Sequence, residues 1–446
     1  MRNRPAVIVA IVGIALLATV ALASFEEAVS LFERQDYKTA IGRLEREIAQ
    51  GRDSARVRTL LGWSAYKAGD IGRAKAEFDK ALALNPNDPN AFYAHEGLGW
   101  AAYRAGDHDR AIAAFGQALR LNPGYDNAHA GLGWAYLAKR DFVRAEANFT
   151  TAKRWFGNNA DPERGLAFVA YQRGDWKRAA ERLRDVVKRD ERDSVARSAL
   201  GWASYYRGEL KDARRTFEDV ARREPSWADP LAGLAWIAER EGRHAEAKAG
   251  FRTALAKSAS YVATREFDAL VAARAEWIDL WRETAWALYQ QRVFADAERE
   301  FRALLERQPK DADGRRGLGY TLYMLKRYRD AIAPLRDSIA LDPTLPPVQE
   351  RVEIPGVPGL HPIVSDAFST LAWSHYQAAE YPEAARLFRE VTQRHPDWAD
   401  PLSGLGWTLS KLGDRAAAEQ AFRQSLQANP RHPDALMGLR TLGKKP

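Results

Sequence analysis

The feature of this sequence that most constrains its fold is a pattern that recurs with a period of about 34 residues. One copy contains Leu98-Gly99-Trp100, Gly106-Asp107, Ala111, Phe115, Ala118 and Pro123. The pattern predicts two helical stretches joined by a Gly-Asp turn, and the proline closes the second stretch because it cannot continue a helix. A single helical pair cannot bury its own apolar face. The copies are therefore expected to stack and bury a continuous core between them.

The copies align on a small residue in the middle of each first helix, which we call the anchor. The anchors are Ala28, Gly62, Gly99, Gly133, Ala167, Gly201, Ala235, Ala285, Gly319, Ala372 and Gly406. The intervals between successive anchors are 34, 37, 34, 34, 34, 34, 50, 34, 53 and 34. Seven of these ten intervals are identical, so the recurrence is a true repeat.

This pattern resembles the tetratricopeptide repeat, a helix–turn–helix unit of about 34 residues. The matching positions are the Leu-Gly pair, the Ala and Phe of the second helix and the closing Pro, as in Leu98-Gly99, Ala111, Phe115 and Pro123. The resemblance implies an all-α fold, a right-handed superhelical solenoid of about eleven helix pairs, with a half pair near residues 436–439 as a cap. It also implies that the first helices line a groove in which extended partner segments bind.

Two insertions interrupt the repeats and suggest a domain organisation. Residues 24–257 form an N-terminal array of about seven repeats, and residues 281–446 form a C-terminal array of about four repeats and a cap. Between them, residues 258–280 carry apolar side chains at helical spacing and predict an added or lengthened helix. The second insertion, at about residues 344–364, contains five prolines, which favours an extended loop. It is expected either to lie over the repeats or to dock a partner.

Residues 1–23 predict a signal peptide or a membrane anchor. Arg2 and Arg4 precede an uncharged apolar run from Ala6 to Ala23, and Ala21-Leu22-Ala23 matches a signal-peptidase site. A run of this length also reaches the lower limit for a membrane-spanning helix. In either case the segment contacts a membrane at least transiently, and the body is expected in the cell envelope, on the periplasmic or extracytoplasmic side.

Aromatic residues directly after the anchors are the candidate partner site. We call these ten residues the aromatic row: Trp63, Trp100, Trp134, Phe168, Trp202, Trp236, Trp286, Tyr320, Trp373 and Trp407. Tyrosines follow three residues later in many repeats, and the candidate site includes Tyr66, Tyr103 and Tyr205. One interpretation is a buried ladder that packs first helices on each other. The other is an aromatic groove that is open to a partner.

Two further patterns accompany the row. Glycines stand two residues before six of the anchors, at Gly97, Gly131, Gly165, Gly233, Gly317 and Gly404, and are expected to make room for a neighbouring Trp or a ligand. Asp-Pro pairs recur at Asp161-Pro162, Asp229-Pro230 and Asp400-Pro401. They predict N-cap aspartates, each followed by a proline at the first helical position.

Several classes of function have no support in the sequence. There are no cysteines, and the eight histidines are scattered. The sequence contains neither the G-x-S-x-G nucleophile elbow of hydrolases nor the G-x-x-x-x-G-K-[ST] phosphate-binding loop. We therefore expect no catalytic residues, no metal and no cofactor. The net charge of +8 is spread along the chain and does not indicate a nucleic-acid partner.

The sequence thus predicts a non-enzymatic scaffold of the cell envelope that binds extended protein segments and organises a multiprotein assembly. The alternative is a glycan-handling module in polysaccharide export or cell-wall assembly, because aromatic rings also stack on sugars. Its partners are then proteins, or a polysaccharide in the alternative.

Overall fold

The structure is a computed structural model that describes residues 25–86, 88–156, 160–353 and 360–445. The predicted signal or anchor segment, residues 1–23, lies outside the described residues. The chain divides into two compact units, one ending at Arg223 and the other beginning at Glu224.

The described part of the N-terminal unit contains six consecutive helix pairs. Its helices are α1 (residues 25–33), α2 (Tyr37–Ala49), α3 (Ala55–Lys67), α4 (Ile71–Leu84), α5 (Ala91–Arg104), α6 (His108–Leu121), α7 (Asp126–Ala138), α8 (Phe142–Phe156), α9 (Ala160–Gln172), α10 (Trp176–Arg189), α11 (Ser194–Tyr206) and α12 (Leu210–Arg223). Helices next to each other in sequence pack together, and first helices such as α5 and α7 also touch each other.

In its described residues, the C-terminal unit contains five further helix pairs and a final single helix. Its elements are α13 (Ala228–Arg240), α14 (His244–Lys257), α15 (Ala259–Val262), α16 (Arg265–Ala273), a 3-10 turn (Ala275–Trp277), α17 (Ile278–Gln290), α18 (Phe294–Arg307), α19 (Ala312–Met324), α20 (Tyr328–Leu341), β1 (Val348–Glu353), β2 (Leu360–Ser365), α21 (Ala367–Gln377), α22 (Tyr381–Arg394), α23 (Ala399–Lys411), α24 (Arg415–Ala428) and α25 (Pro433–Thr441).

The turn between α5 and α6 shows why two helices form. Gly106 ends α5 with a φ of +79°, a conformation that costs little only for glycine. Asp107 follows, and its carboxylate accepts a hydrogen bond of 3.1 Å from the backbone N–H of Arg110. This bond caps α6 by satisfying one of its free N–H groups. The Gly-Asp pair seen in the sequence is therefore the stop signal of one helix and the start signal of the next.

The expected all-α repeat solenoid is confirmed, with one local exception in the proline-rich insertion. There, where the sequence suggests an extended loop, the chain forms an antiparallel hairpin in which β1 pairs with β2, Val348 opposite Ser365 and Glu353 opposite Leu360. The connecting residues 354–359 lie outside the described part of the chain. Arg316 of α19 holds the approach to the hairpin by donating a hydrogen bond to the carbonyl oxygen of Pro346.

The insertion after α14 is built into the core of the C-terminal unit. Helices α15 and α16 and the 3-10 turn occupy it, and Phe267, Val271 and Trp277 are at most 2% exposed. The ring of Phe267 packs on that of Phe251 in α14, with centroids 5.1 Å apart. Because one apolar cluster runs from α13 through this segment to α22, the segment continues the array, and the division between the units falls before α13.

Candidate functional site

The tryptophans of the aromatic row each pack on a phenylalanine fifteen residues later, in the second helix of the same pair. The ring centroids lie 5.1–5.5 Å apart, and the ring planes cross at 70–83°. Such edge-to-face contacts are favoured by the ring quadrupoles. We call these partners the phenylalanine column: Phe78, Phe115, Phe149, Phe217, Phe251, Phe301, Phe388 and Phe422. All eight are fully buried.

Glycines create the space for this column. A Cβ atom built on the anchor Gly99 would lie 2.6 Å from the ring of Phe115, and one on Gly131 of the next repeat would lie 2.4 Å from the same ring. The same arrangement recurs around Phe78, Phe149 and Phe422. The expectation that the second set of glycines makes room for a Trp or a ligand is therefore wrong for Gly97, Gly131, Gly165 and Gly317, because a buried phenylalanine ring fills the space. At Gly404 the Phe388 ring is also nearest, with Trp373 at 3.0 Å.

The tryptophans of the row are neither core residues nor free side chains. All eight are half-buried, as are Phe168, Tyr66, Tyr103 and Tyr205. The tyrosines add a second edge contact; the Trp100 and Tyr103 rings, for example, lie 5.8 Å apart. Tyr320 is the exception among the predicted site residues. It is 1% exposed, and the rings of Trp286 and Tyr289 lie 6.1 and 6.3 Å away, so it belongs to the core.

An acidic residue of the next repeat holds the indole N–H of several row tryptophans. Trp134 donates to Asp161 at 3.1 Å, and Trp373 donates to Asp400 at 2.9 Å. Trp286 donates likewise to Asp313 at 2.9 Å, and Trp407 to Asp434. The separation in sequence between donor and acceptor is the same in all four cases. The ring is thus fixed at its edge by the column and at its nitrogen by the next repeat.

These acceptors correct the prediction of N-cap aspartates. Helices α9, α13 and α23 begin at Ala160, Ala228 and Ala399, so each Asp of the Asp-Pro pairs lies in the first turn. Trp227 and Trp398 occupy the N-cap positions of α13 and α23. The carboxylates of Asp161 and Asp400 are instead available to the indoles. A sequence signal for them exists, because Asp stands six residues before the anchor in Asp161, Asp229, Asp279, Asp313, Asp366 and Asp400.

Trp100 uses a different acid. Its indole N–H donates to Glu96 at 3.3 Å, one turn earlier on α5, and the hydroxyl of Tyr125 donates to the other carboxylate oxygen. Glu96 is 5% exposed, and removal of its carboxylate from water raises its pKa to about 7. The two hydrogen bonds oppose this shift without cancelling it.

Two arginines lie over rings of the row. The guanidinium of Arg164 is 5.7 Å from the Trp134 ring centre and also forms an ion pair of 2.9 Å with Asp193. The guanidinium of Arg316 is 5.3 Å from the Trp286 ring centre, and its Nη2 is 2.5 Å from Asp313. Each ring therefore has a face that accepts a cation.

A pocket of about 320 Å³ opens beside Trp286 in the C-terminal unit. Its walls combine the charged or polar residues Asp279, Arg282, Glu283, Gln290 and Asp313 with the apolar surfaces of Trp286 and Ala287. The row thus has polar space next to it at this point, which suits a partner that combines apolar and charged groups. Among the described residues, no group of three or more metal-ligating side chains comes together, and no helix is both long and apolar enough to cross a membrane.

Several solved structures are similar to parts of this chain. One is a tetratricopeptide repeat protein from Parabacteroides merdae (16% identity, 53% of this chain and 93% of that chain, TM-score 0.42). A second is PilW, a type IV pilus biogenesis factor (18% identity, 49% of this chain and 98% of that chain, TM-score 0.42). A third is YrrB, a TPR protein with an unusual peptide-binding site (24% identity, 41% of this chain and 92% of that chain, TM-score 0.34). The TM-scores of these three structures are all below 0.5, so the family assignment does not rest on them. A comparison with curated proteins finds no match.

Family models give the decisive match. One tetratricopeptide repeat model matches residues 25–89, 59–125, 198–262, 282–346 and 403–439, which together exceed half of the chain. Two others match residues 102–161 and 366–397. Together with the helix pairs and their buried phenylalanines, these matches show that the chain belongs to the tetratricopeptide repeat family, whose repeats are protein-interaction modules.

Proposed function

We propose that this chain is a non-enzymatic scaffold that binds an extended protein segment along its aromatic row. The observation that supports this most is the row itself. The same half-buried indole recurs along the described repeats, held at its edge by the column and, in five of them, at its nitrogen by an acid. A ring fixed in this way loses little conformational freedom when a partner contacts its open part, which favours affinity.

The repeat geometry favours an extended partner. Equivalent rings recur once per helix pair, so a compact ligand would reach only one or two of them. A segment without tertiary structure can follow successive repeats and gain a contact at each, as in other recognition modes that read regularly spaced anchors. Eleven repeats offer more than one such segment needs, which supports a role in organising an assembly of several proteins.

A peptide selection tests this proposal. Random dodecapeptides displayed on phage are selected on the immobilised full-length chain, and synthetic copies are titrated by fluorescence polarisation. Trp134→Ala and Trp286→Ala are expected to weaken binding of peptides that contact their repeats by about tenfold or more. Trp176→Ala is the matched control, because Trp176 is also half-buried but lies on the second helix α10, stacked on Tyr206 at 4.3 Å.

The outcomes separate the proposal from its alternative. Equal losses at Trp134, Trp286 and Trp176 would contradict a role for the row. A selection that retains no peptide, together with retardation of the chain in gels containing soluble xylan or dextran, would favour the glycan-handling module instead.

The location of the scaffold is a second part of the proposal. Arg2, Arg4 and the uncharged run that follows support export to the cell envelope, with the body soluble after cleavage or held by residues 6–23. Alkaline phosphatase fused after Pro446 is expected to be active in a bacterial host. An inactive phosphatase fusion combined with an active cytoplasmic reporter at the same point would overturn the location.

A further inference from the structure

Four repeats share one arrangement of a row tryptophan and an acid, and they differ at a third position. The acids are Asp161, Asp313, Asp400 and Asp434, each bonded to the indole of the preceding repeat. The third position is three residues after the acid, one helical turn further on. It is Arg164, Arg316, Ser403 and Met437 in the four repeats, in that order.

In the first two repeats the chain supplies its own cation at this position. Arg316 is the clearest case, because it lies over the Trp286 ring and pairs with Asp313, which also accepts the Trp286 indole N–H. The Arg316 side chain is only 7% exposed, so it is a built part of the site. Arg164 lies over the Trp134 ring in the same way.

In the last two repeats this cation is missing. Ser403 and Met437 cannot supply a charge, and among the described residues neither Asp400 nor Asp434 forms an ion pair. The carboxylates have neutral donors only: Trp373 for Asp400, and Trp407 with Ser403 for Asp434. We call Asp400 and Asp434 the C-terminal acid pair.

Both acids of this pair are poorly hydrated. Loss of hydration raises the pKa of Asp400 to about 7 and also raises the pKa of Asp434, and the negative charge of Asp434 adds to the shift at Asp400. Some buried acids have cations: Glu77 lies 2.7 Å from Arg58, and Glu163 lies 2.6 Å from Lys153. Glu96, like the C-terminal acid pair, has neutral donors only. Two poorly hydrated carboxylates without a cation are costly unless a positive group joins them.

A buried hydroxyl beside the pair is also without a partner. Ser403 of α23 bonds the Asp434 carboxylate of the next repeat at 3.1 Å. Ser369 holds the equivalent position relative to Asp400, in α21, and is fully buried. Its Oγ finds no hydrogen-bond partner in the part of the chain that the structure describes. Its hydroxyl is therefore an unsatisfied buried polar group, one repeat before the bond between Ser403 and Asp434.

We propose that the C-terminal acid pair, with the faces of Trp373 and Trp407, binds lysine or arginine side chains of the extended segment. These side chains take the place that Arg164 and Arg316 occupy in the other two repeats. The inference rests on the proposed function and adds its chemistry: the partner segment is basic where it crosses α21 to α25. Aromatic faces with a carboxylate beside them suit such a cation.

The peptide selection described above tests this chemistry. Selected peptides that bind the C-terminal repeats are expected to be enriched in Lys and Arg. Their affinity should fall by about tenfold or more, at least about 1.4 kcal/mol, for the Asp400→Asn and Asp434→Asn variants. Asp397→Asn is the matched control, because it removes the same charge from an exposed residue of the neighbouring loop. Copies of the peptides with acetylated lysines should lose the same factor on the unmodified chain.

Met437→Arg provides a second test that does not remove an acid. Met437 is half-buried, and an arginine at this position would supply the internal cation that this repeat lacks. We expect weaker binding of basic peptides by about tenfold, with Met437→Gln unchanged.

The results separate the two levels of the proposal. Selected peptides without basic residues, or with unchanged affinity in the Asn and Arg variants, would overturn this inference and leave the proposed function standing. A selection that retains no peptide would overturn both.

Discussion

The phenylalanine column and the aromatic row contain similar numbers of large rings, and the rings touch each other, yet they occupy different environments. Phe115 is fully buried between two glycines, whereas Trp100, whose edge rests on Phe115, is half-buried. The column is confined on every side and specifies how successive repeats stack. The row is supported from beneath and keeps part of each ring open. A repeat can therefore place a partner surface directly on its core.

The largest expected effect separates the two sets of rings by stability. Phe115→Ala should lower the free energy of unfolding of the N-terminal unit by about 3–5 kcal/mol, because it leaves a cavity in a closely packed site. Trp100→Ala should cost about half as much or less, because only part of its ring is buried. Urea denaturation followed by circular dichroism measures both. Equal losses would show that the row is as much a part of the core as the column.

The next effect concerns the acid beneath Trp100. The pKa of Glu96 is raised from 4.5 to about 7 in the folded chain, so between these pH values the folded chain holds a proton that the unfolded chain has released. Stability is then full below about pH 4.5 and falls as the pH rises through 7, by on the order of 3 kcal/mol. Glu96→Gln should remove this part of the pH dependence, measured as melting temperature from pH 5 to pH 8. An unchanged profile in the variant would contradict the assignment.

A glycine substitution tests whether the column sets the repeat spacing. Gly131→Ala places a Cβ 2.4 Å from the Phe115 ring and should destabilise the unit by about 1–3 kcal/mol, even though alanine favours helix. Gly116→Ala is the control, because this position lies in the same region, within α6, and has no atom within 4 Å of the added methyl group. It should gain up to about 1 kcal/mol. A gain at both positions would mean that the ring can move aside.

The sequence predicts much of this architecture, because its information is local. Residues close together in sequence indicate the repeat period, the Gly-Asp turn and the position of the row. The helical periodicity then predicts which of these residues share a face of the helix. The reason for a glycine at position 131 lies in the neighbouring repeat. The sequence shows that Trp and Phe both recur near this position, but only the stacking of two repeats shows that the Phe115 ring fills the space.

Contacts between neighbouring repeats are the part of the site that the sequence does not predict. The bond from Trp134 to Asp161 joins two repeats and depends on how one helix pair lies on the next. The Asp-Pro motif pointed to a cap because that is the commoner local use of such a pair. The sequence does not predict the hairpin for a similar reason. Pro362 weakens the strand pattern of residues 360–365, and the strand is recognised only from its pairing with β1, where Arg351 lies opposite Pro362.

The most direct test of the central claim, that the row is the partner surface and the column its support, is fluorine NMR of the full-length chain. Incorporation of 5-fluorotryptophan labels all 14 tryptophans, and single Trp→Phe variants assign their signals. On addition of a selected peptide, signals of row residues such as Trp134 and Trp286 should shift, while those of Trp176, on a second helix, and Trp277, in the core, should stay in place. Shifts confined to tryptophans outside the row, with the row signals unchanged at saturation, would contradict it.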